Sequence, residues 1–281
     1  MTVILRSVAD VRAWRKGLPT GKKLGFVPTM GALHAGHLSL IELARQRSDI
    51  TIASIFVNPL QFGPSEDLNR YPRPIEKDRA LLEEAGADAL FLPAVADLYP
   101  DGASTFVVEE DVSSPLCGAG RPGHFRGVAT IVLKLFNIVQ PDFAVFGQKD
   151  AQQCAVVERM VRDLNMSVDI VRAPIVREAD GLALSSRNLY LTSEERSAAP
   201  AVYASLQMAK AAFESGERGA DALKAVGQAV LSAKPGFTVI YWEVCNASSL
   251  NMMRTVGPDG ALFVVAACIG SVRLIDNIGV N

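Results

Sequence analysis

The chain has 281 residues, 49% of them hydrophobic, and its 28 Lys and Arg residues nearly balance 30 Asp and Glu residues, giving a formal net charge of −2 at pH 7. This length and apolar content predict a globular protein, and the length favours two domains over one. The balanced charge provides no broad positive field for a polyanion, so nucleic acid is not expected as a partner.

The four cysteines are widely separated and include no close pair that would indicate a zinc site, a redox motif or a disulfide framework; they are Cys117, Cys154, Cys245 and Cys268. Such a distribution is typical of a protein of the reducing cytoplasm. Neither a signal peptide nor a membrane span is expected. The first apolar run is interrupted by Arg6 and Asp10, and the apolar stretch 261–269 is far shorter than the roughly 20 residues that cross a bilayer.

Between residues 23 and 176, short apolar runs alternate with longer amphipathic stretches. This pattern predicts β–α units around a parallel sheet that is covered on both faces, which is a doubly wound α/β domain. The predicted strands are 24–29, 50–57, 89–92, 143–146 and 168–176, and the predicted helices are 37–47, 75–85, 125–139 and 150–164.

After Val176 the polar stretch 177–180 indicates a domain boundary, so we expect one domain over 1–176 and a smaller α+β domain over 177–281. Thr192 and Glu195 form a capping box for a helix that runs towards residue 213, with a kink or break at Pro200. A second helix over 220–231 and strands over 237–244 and 262–269 follow.

The segment 26–40 passes from a predicted strand through a glycine-containing turn into a helix. Gly31 and Gly36 allow a ligand to approach the backbone, and the helix N-terminus adds unpaired N–H groups and a positive dipole end. His34 and His37 add hydrogen-bond donors, so the segment predicts a phosphate site. Two alternatives remain: the histidines bind a metal, or they are turn residues without a chemical role.

The segment 146–153 also follows a predicted strand and opens a helix, which places Gly147, Lys149 and Asp150 at the carboxyl edge of the sheet, where ligands bind in open α/β folds. Lys149 suits a phosphate and Asp150 suits ribose hydroxyls. The alternative is an ordinary helix cap beside a solvated lysine.

Three further segments carry candidate contacts. Segment 184–188 offers hydroxyls and a guanidinium for phosphates, although Ser-Ser-Arg-Asn also makes an ordinary turn. Segment 58–62 offers two amides for hydroxyl or carboxylate groups, or simply ends a strand. Segment 117–126 is glycine-rich and either brings Arg121 and His124 over the site or is a flexible connector.

Six motifs occur in order along nearly the whole chain: MGALHAGH at 30–37, NPLQF at 58–62, RYPR at 70–73, GRPGHFRGV at 120–128, FGQKDAQQ at 146–153 and LSSRN at 184–188. This ordered set resembles the pantothenate synthetase family of the His-x-Gly-His nucleotidyltransferase superfamily. The His-x-Gly-His motif alone indicates only the superfamily, which includes class I aminoacyl-tRNA synthetases.

The resemblance implies a Rossmann-like first domain that holds the substrates, a C-terminal domain that closes over the active site, and a homodimer. It implies ATP-dependent ligation of pantoate to beta-alanine through a pantoyl adenylate, with AMP and pyrophosphate as the other products. ATP, used with Mg²⁺, is the implied cosubstrate. Two alternatives remain: another nucleotidyltransferase of the superfamily, or a non-catalytic ATP-binding module.

The resemblance also implies residue roles. The implied catalytic residues are His37, His34, Lys149, Ser185, Ser186 and Arg187. The implied ATP-binding residues are Met30, Gly31, Ala32, Leu33, His34, Ala35, Gly36, His37, Gly147, Gln148, Lys149, Asp150, Val176, Leu184, Ser185, Ser186 and Arg187. The expected substrate contacts are Gln61, Gln153, Asn58, Arg121 and His124, and Asp78 is the expected metal ligand. Many relatives have Met where Leu184 stands, so a sulfur contact to adenine would be absent here.

Overall fold

Six parallel strands form one sheet in the first part of the chain. The computed structural model describes residues 2–64 and 66–281. The spatial order of the strands is β1-β4-β3-β2-β5-β6, and every neighbouring pair is parallel. The strands are β1 (Val3–Leu5), β2 (Leu24–Thr29), β3 (Ile50–Ile55), β4 (Ala89–Phe91), β5 (Phe143–Gly147) and β6 (Asp169–Ala173). The direction of strand succession reverses between β2 and β5, which opens a crevice at their carboxyl ends.

Helices cover both faces of this sheet. They are α1 (Val8–Lys16), α2 (Ala35–Arg47), α3 (Ile75–Glu84), α4 (Val95–Leu98), α5 (Cys117–Gly120), α6 (His124–Val139) and α7 (Ala151–Asp163). Phe26 of β2 belongs to a buried cluster with residues of α1, α6 and α7. Its neighbour Val27 packs on the other face with residues of α2 and α3. Because adjacent strand residues face opposite sides, this alternation confirms the doubly wound arrangement.

The last part of the chain builds a second, antiparallel sheet in the order β7-β8-β9. Its strands are β7 (Phe237–Cys245), β8 (Ala261–Ile269) and β9 (Val272–Val280), preceded by α8 (Ser193–Ala198), α9 (Ala201–Glu214) and α10 (Ala220–Ser232). Trp242 is fully buried between this sheet and the helices. A Cβ atom added at Gly227 of α10 would collide with the indole ring, so glycine lets the helix pack against Trp242. The predicted α+β character of this part is confirmed.

Several boundaries differ from the sequence-based expectation. β1, α1 and β9 were not predicted. Helix α2 begins two residues before His37, and β6 ends before Pro174, whose missing N–H cannot continue the strand pairing. The capping box of Thr192 and Glu195 is present, and Pro200 separates α8 from α9. Within residues 2–64 and 66–281, no helix is long and apolar enough to cross a membrane.

Candidate active site

The histidine motif forms the start of α2 beside the crevice. His34 is the N-cap residue, and its Nδ1 accepts the backbone N–H of Gly36 at 3.2 Å. Nδ1 of His37 accepts the backbone N–H of His34 at 3.4 Å. Each ring therefore uses Nδ1 as an acceptor, which we infer places the remaining proton of the neutral ring on Nε2. The ring centroids lie 4.1 Å apart.

Both histidines are held in the neutral form. Burial, followed by the charge of Lys149, lowers the pKa of His34 from 6.5 to about 4. Burial, followed by the neighbouring His34, lowers the pKa of His37 from 6.5 to about 3. Desolvation disfavours an imidazolium, so at neutral pH the pair offers two neutral N–H donors.

The turn that precedes α2 has an unusual backbone, which Asp78 holds in place. Gly31 and Ala32 have φ values of 83° and 52°, in the left-handed region. The carboxylate of Asp78 accepts the backbone N–H groups of Ala32 and Leu33, each at 2.8 Å, and its side chain is fully buried. These two bonds stabilise a conformation that costs free energy at a non-glycine residue such as Ala32.

The contacts of Asp78 favour a structural role over its expected role as a metal ligand. Asp78 lines neither of the two main cavities at the site, and both of its oxygens are used by the turn. Among the residues that the structure describes, no group of three or more His, Cys, Asp or Glu side chains is arranged to hold a metal ion. Asp78 is therefore a structural anchor of the histidine turn.

A cavity of about 230 Å³ lies at the carboxyl ends of β2 and β5 and brings most of the predicted site residues together. The predicted residues that line it are Met30, His34, Gly36, His37, Asn58, Gln61, Arg121, His124, Gly147, Lys149, Asp150, Gln153, Val176, Leu184, Ser185, Ser186 and Arg187. Gly31, Ala32, Leu33, Ala35 and Gln148 do not line it. Those five residues shape the backbone next to the cavity.

A second cavity, of about 470 Å³, lies between the parallel sheet and the antiparallel sheet. It shares Lys149, Asp150 and Arg187 with the first cavity, so the two spaces adjoin. Residues 271–277, at and within β9, form much of its remaining wall. The site therefore extends from the crevice of the parallel sheet to the C-terminal strand.

The hydrogen-bonding groups of the Asn58 amide all have partners within the protein, which favours an indirect role in substrate binding over the expected direct contact. Its Nδ2 donates to Oε1 of Gln61 at 3.0 Å and to the carbonyl of Gly127 at 3.1 Å. Its Oδ1 accepts from the Tyr99 hydroxyl at 2.9 Å and from the N–H of Leu60 at 3.3 Å. An amide has two donors and two acceptor lone pairs, so no capacity remains for a ligand.

Gln61 is oriented by its contact with Asn58 and can still form a hydrogen bond to a ligand. Its Oε1 accepts the Asn58 amide, while its Nε2 lies 3.1 Å from Sδ of Met30, a weak acceptor that a ligand oxygen would outcompete. Asn58 therefore positions Gln61. Gln153 lines both cavities from the first turn of α7.

Arg121 and His124 lie together at the start of α6. His124 Nδ1 lies 2.8 Å from the carbonyl of Gln61 and is assigned as a donor to it, which leaves Nε2 to accept Nη1 of Arg121 at 2.9 Å. Burial, followed by the charge of Arg121, lowers the pKa of His124 to about 4. Arg121 also makes an ion pair with Glu66, at 2.6 Å.

The Ser-Ser-Arg segment forms a short 3₁₀ helix, Ser186–Tyr190, next to both cavities. Ser185 caps it, because its Oγ accepts the N–H of Arg187 at 3.3 Å. The Arg187 guanidinium bonds both oxygens of Asp67, at 2.9 and 3.1 Å. The N–H of Leu184 donates to the carbonyl of Val176, which joins the two predicted adenine contacts.

Sequence reasoning missed the contribution of β9. Nδ2 of Asn277 donates to the backbone carbonyls of Gln148 and Lys149, at 2.9 and 3.1 Å. The neighbouring Asp276 accepts two bonds from Arg177, and burial of its side chain, opposed by that ion pair, raises its pKa. The C-terminal sheet thus holds the turn that carries Lys149. Adjacent Asp and Asn within the mostly apolar run 272–280 were the available signal.

Taken together, these residues are suited to bind a nucleoside triphosphate and a small polar acid. Neutral imidazole donors, Lys149 and Arg187 can offset charge on phosphate oxygens, and the N-terminus of α2 adds its dipole. Gln61 and Gln153 can bond hydroxyl or carboxylate oxygens without adding charge.

Known proteins are similar to this chain over almost its whole length. The family model for pantoate-beta-alanine ligase matches residues 3–279. Pantothenate synthetase of Pseudomonas putida (strain GB-1) is 56% identical over 277 residues, which cover 98% of this chain and 96% of that protein. Pantothenate synthetase of Chloroflexus aurantiacus (strain J-10-fl) is 52% identical over 274 residues, with the same coverage of both chains.

Solved structures of similar proteins have the same fold. A crystal structure of pantothenate synthetase from Thermus thermophilus superimposes with a TM-score of 0.93 at 47% identity, covering 99% of both chains. A pantoate-beta-alanine ligase from Francisella tularensis, solved in complex with beta-gamma ATP and beta-alanine, gives a TM-score of 0.83 at 34% identity and covers 99% of this chain and 98% of that one. Sequence, fold and site geometry converge, and the chain belongs to the pantoate-beta-alanine ligase family.

Proposed function

We propose that this chain joins pantoate to beta-alanine in an ATP-dependent ligation that proceeds through a pantoyl adenylate. The observation that carries the proposal is the single cavity in which His34, His37 and Lys149 lie with Gln61 and Gln153. Phosphate-binding groups and uncharged amides in one space suit a reaction between a nucleotide and a hydroxy acid.

ATP occupies the crevice between the start of α2 and the turn after β5. Its phosphates lie near His34, His37, Lys149 and the 3₁₀ helix that begins at Ser186. Asp150 accepts from the ribose hydroxyls, and the backbone at Val176 and Leu184 borders the adenine. Gly147 leaves room for this approach, since a Cβ atom there would meet nothing within 4 Å.

Pantoate binds beside the triphosphate, with Gln61 and Gln153 as its polar contacts. Asn58 acts only through Gln61, which it orients at 3.0 Å. Apolar side chains of α6, among them Val128 and Ile131, line the same cavity and suit the branched carbon skeleton of pantoate.

In the first step, a carboxylate oxygen of pantoate attacks the α-phosphorus of ATP, and the bond to the β-phosphate oxygen breaks to release pyrophosphate. Negative charge grows on the phosphate oxygens as this happens. Nε2–H donors of the two histidines, Lys149, Ser185, Ser186 and Arg187 offset that charge. Neutral imidazoles that carry their proton on Nε2 act as donors at neutral pH without having to gain a second proton.

In the second step, the neutral amine of beta-alanine attacks the acyl carbon of the adenylate. The new amide bond forms as the bond to the phosphate oxygen breaks, AMP leaves, and the nitrogen gives up its extra proton to solvent. Arg121 and His124 lie where the two cavities meet and are the proposed contacts for this substrate.

Magnesium is proposed to arrive as part of the ATP complex. The described side chains do not form a cluster that would hold the ion by themselves, whereas phosphate oxygens are ligands that Mg²⁺ favours. The ion would then neutralise phosphate charge, and the protein residues bind the complex.

The chain is proposed to divide at residue 176, with 177–281 closing over the bound adenylate and shielding it from water. Asn277 and Arg187 already reach the site from that part. A homodimer is proposed from the family resemblance, and the exposed Phe106 and Val108 supply apolar surface for an interface. Four free thiols support a reducing, cytoplasmic setting.

Isotopic labelling of the pantoate carboxylate tests whether the reaction passes through an adenylate. If pantoate carries ¹⁸O in its carboxylate, attack on the α-phosphorus must leave one labelled oxygen in AMP after the amide forms. Mass spectrometry of the products should therefore show labelled AMP and pantothenate. Label in inorganic phosphate, with ADP as the nucleotide product, would contradict an adenylate. AMP transfer to a phosphate ester would indicate another nucleotidyltransferase, and ATP binding without turnover would indicate a non-catalytic module.

A further inference from the structure

The consecutive residues Glu66 and Asp67 each pair with an arginine that the proposed function assigns to substrate binding. Glu66 accepts from Nε and Nη2 of Arg121, at 2.6 and 2.7 Å. Asp67 accepts from Nη2 and Nε of Arg187, at 2.9 and 3.1 Å. In each pair, two N–H groups on one side of the guanidinium bond one carboxylate. A substrate carboxylate or phosphate would bind the same two N–H groups.

These ion pairs link two consecutive residues to two segments that lie far apart in the sequence. Arg121 immediately follows α5 in the first part of the chain, whereas Arg187 lies in the 3₁₀ helix beyond β6. All four side chains line the 470 Å³ cavity. Burial acts to raise the pKa of Glu66, but its bonds to Arg121 and the charge of that guanidinium outweigh burial and lower the pKa to about 2. Glu66 is therefore ionised at any physiological pH.

We propose that Glu66 and Asp67 are internal competitors of the substrates: they occupy Arg121 and Arg187 in the ligand-free enzyme and are displaced by the anionic groups of the substrates. This inference rests on the proposed function. A ligand that must displace such a partner binds with an affinity reduced by the fraction of molecules in which the guanidinium is free. The two carboxylates would thus set the KM values for the anionic substrates and favour ligands with matching two-point geometry.

The opposite role predicts the opposite kinetics. If the carboxylates hold the guanidiniums in place for the loaded enzyme, then removing either negative charge raises KM and lowers kcat. If they compete, removing a charge lowers KM and leaves kcat nearly unchanged. The direction of the KM change therefore decides between the two roles.

The test uses the isosteric variants Glu66→Gln and Asp67→Asn, with each of the three substrates varied in turn. Glu66→Gln should lower KM for beta-alanine by about three- to tenfold and leave KM for ATP unchanged. Asp67→Asn should lower KM for ATP by a similar factor. The matched control is Glu243→Gln, which breaks an ion pair with Lys224 at similar exposure, 26%, away from both cavities. The control should leave all three KM values unchanged.

A KM that is unchanged or raised overturns the proposal for that carboxylate. Thermal unfolding of each variant identifies a folding defect. In that case Glu66→Asp or Asp67→Glu, which keeps the charge but alters its reach, replaces the amide variant and should lower the same KM. Wild-type turnover is measured first. A wild type that forms no pantothenate overturns the proposed function, whereas an active wild type whose variants keep their KM values overturns only the competition.

Discussion

The ring of His37 lies 4.1 Å from that of His34, centroid to centroid, and each ring accepts a backbone N–H through Nδ1. The same short turn therefore fixes the tautomer of both rings. Because burial also lowers both pKa values, α2 begins with two neutral donors at the mouth of the crevice that is proposed to hold the phosphates.

Replacing His37 by alanine should slow pantoate-dependent pyrophosphate release by about a hundredfold or more, the usual effect of losing one donor to a developing oxyanion. His37→Gln keeps an N–H donor near the position of Nε2 and should retain part of the rate. Single-turnover release of labelled pyrophosphate measures both variants. A near-normal rate for the alanine variant would remove His37 from the catalytic residues.

The rate of pyrophosphate release should not change as pH passes through 6.5, the ordinary pKa of histidine. The pKa values of His34 and His37 are lowered to about 4 and 3, so both rings stay neutral as pH falls through 6.5 and become charged only in more acidic solution. We expect kcat for pyrophosphate release at saturating magnesium-ATP to stay level from about pH 5.5 to 8 as far as these groups are concerned. A loss of rate centred near pH 6.5 that disappears in His34→Gln or His37→Gln would contradict the neutral pair.

Asp78→Asn should destabilise the fold without changing the need for magnesium. The amide replaces one acceptor with a donor that faces a backbone N–H, which costs about 1–3 kcal/mol of unfolding free energy. Urea unfolding measures this loss, and Glu76→Gln is the control, since Glu76 lies on the same helix with its side chain 86% exposed. A stable Asp78→Asn variant that needs much more magnesium for activity would restore the metal role.

Asn277→Ala should raise KM for ATP by about tenfold. The variant removes both bonds from β9 to the carbonyls of Gln148 and Lys149, so the turn that is proposed to bind phosphate loses its support from the C-terminal sheet. Steady-state kinetics with ATP varied tests the effect, and the exposed Asn251→Ala is the control. An unchanged KM for ATP would show that the turn holds its geometry without Asn277.

Gln61→Ala should raise KM for pantoate and change KM for ATP much less. Asn58 is proposed to act on pantoate only through Gln61, to which it is hydrogen-bonded, so Asn58→Ala should add little to the defect when Gln61 is already absent. Double-mutant kinetics measures this coupling. A larger change in KM for ATP would assign Gln61 to the nucleotide, and fully additive effects would give Asn58 a separate role.

Much of the parallel sheet could be predicted because buried strands and amphipathic helices leave clear local patterns. The strands at 24–29 and 143–146 were located to within one residue. The first strand, Val3–Leu5, has only three residues and leaves almost no periodic signal. The last strand was missed because Asp276 and Asn277 interrupt its apolar pattern, although both are buried partners of other segments.

Local sequence patterns could not predict which residues the site residues contact. Glu66 meets Arg121 across 55 positions of sequence, and Asp67 meets Arg187 across 120. The metal role of Asp78 rested only on a loose match to the family pattern. The actual partners of Asp78 are backbone N–H groups about 45 positions away, which only the folded chain brings within reach.

The most direct test of the central claim is pyrophosphate release from ATP and magnesium in the presence of pantoate alone. Pyrophosphate should appear only when pantoate is present, and pantothenate and AMP should form when beta-alanine is then added. Pyrophosphate release that does not depend on pantoate, or no release until beta-alanine is present, would contradict the pantoyl adenylate as the first product.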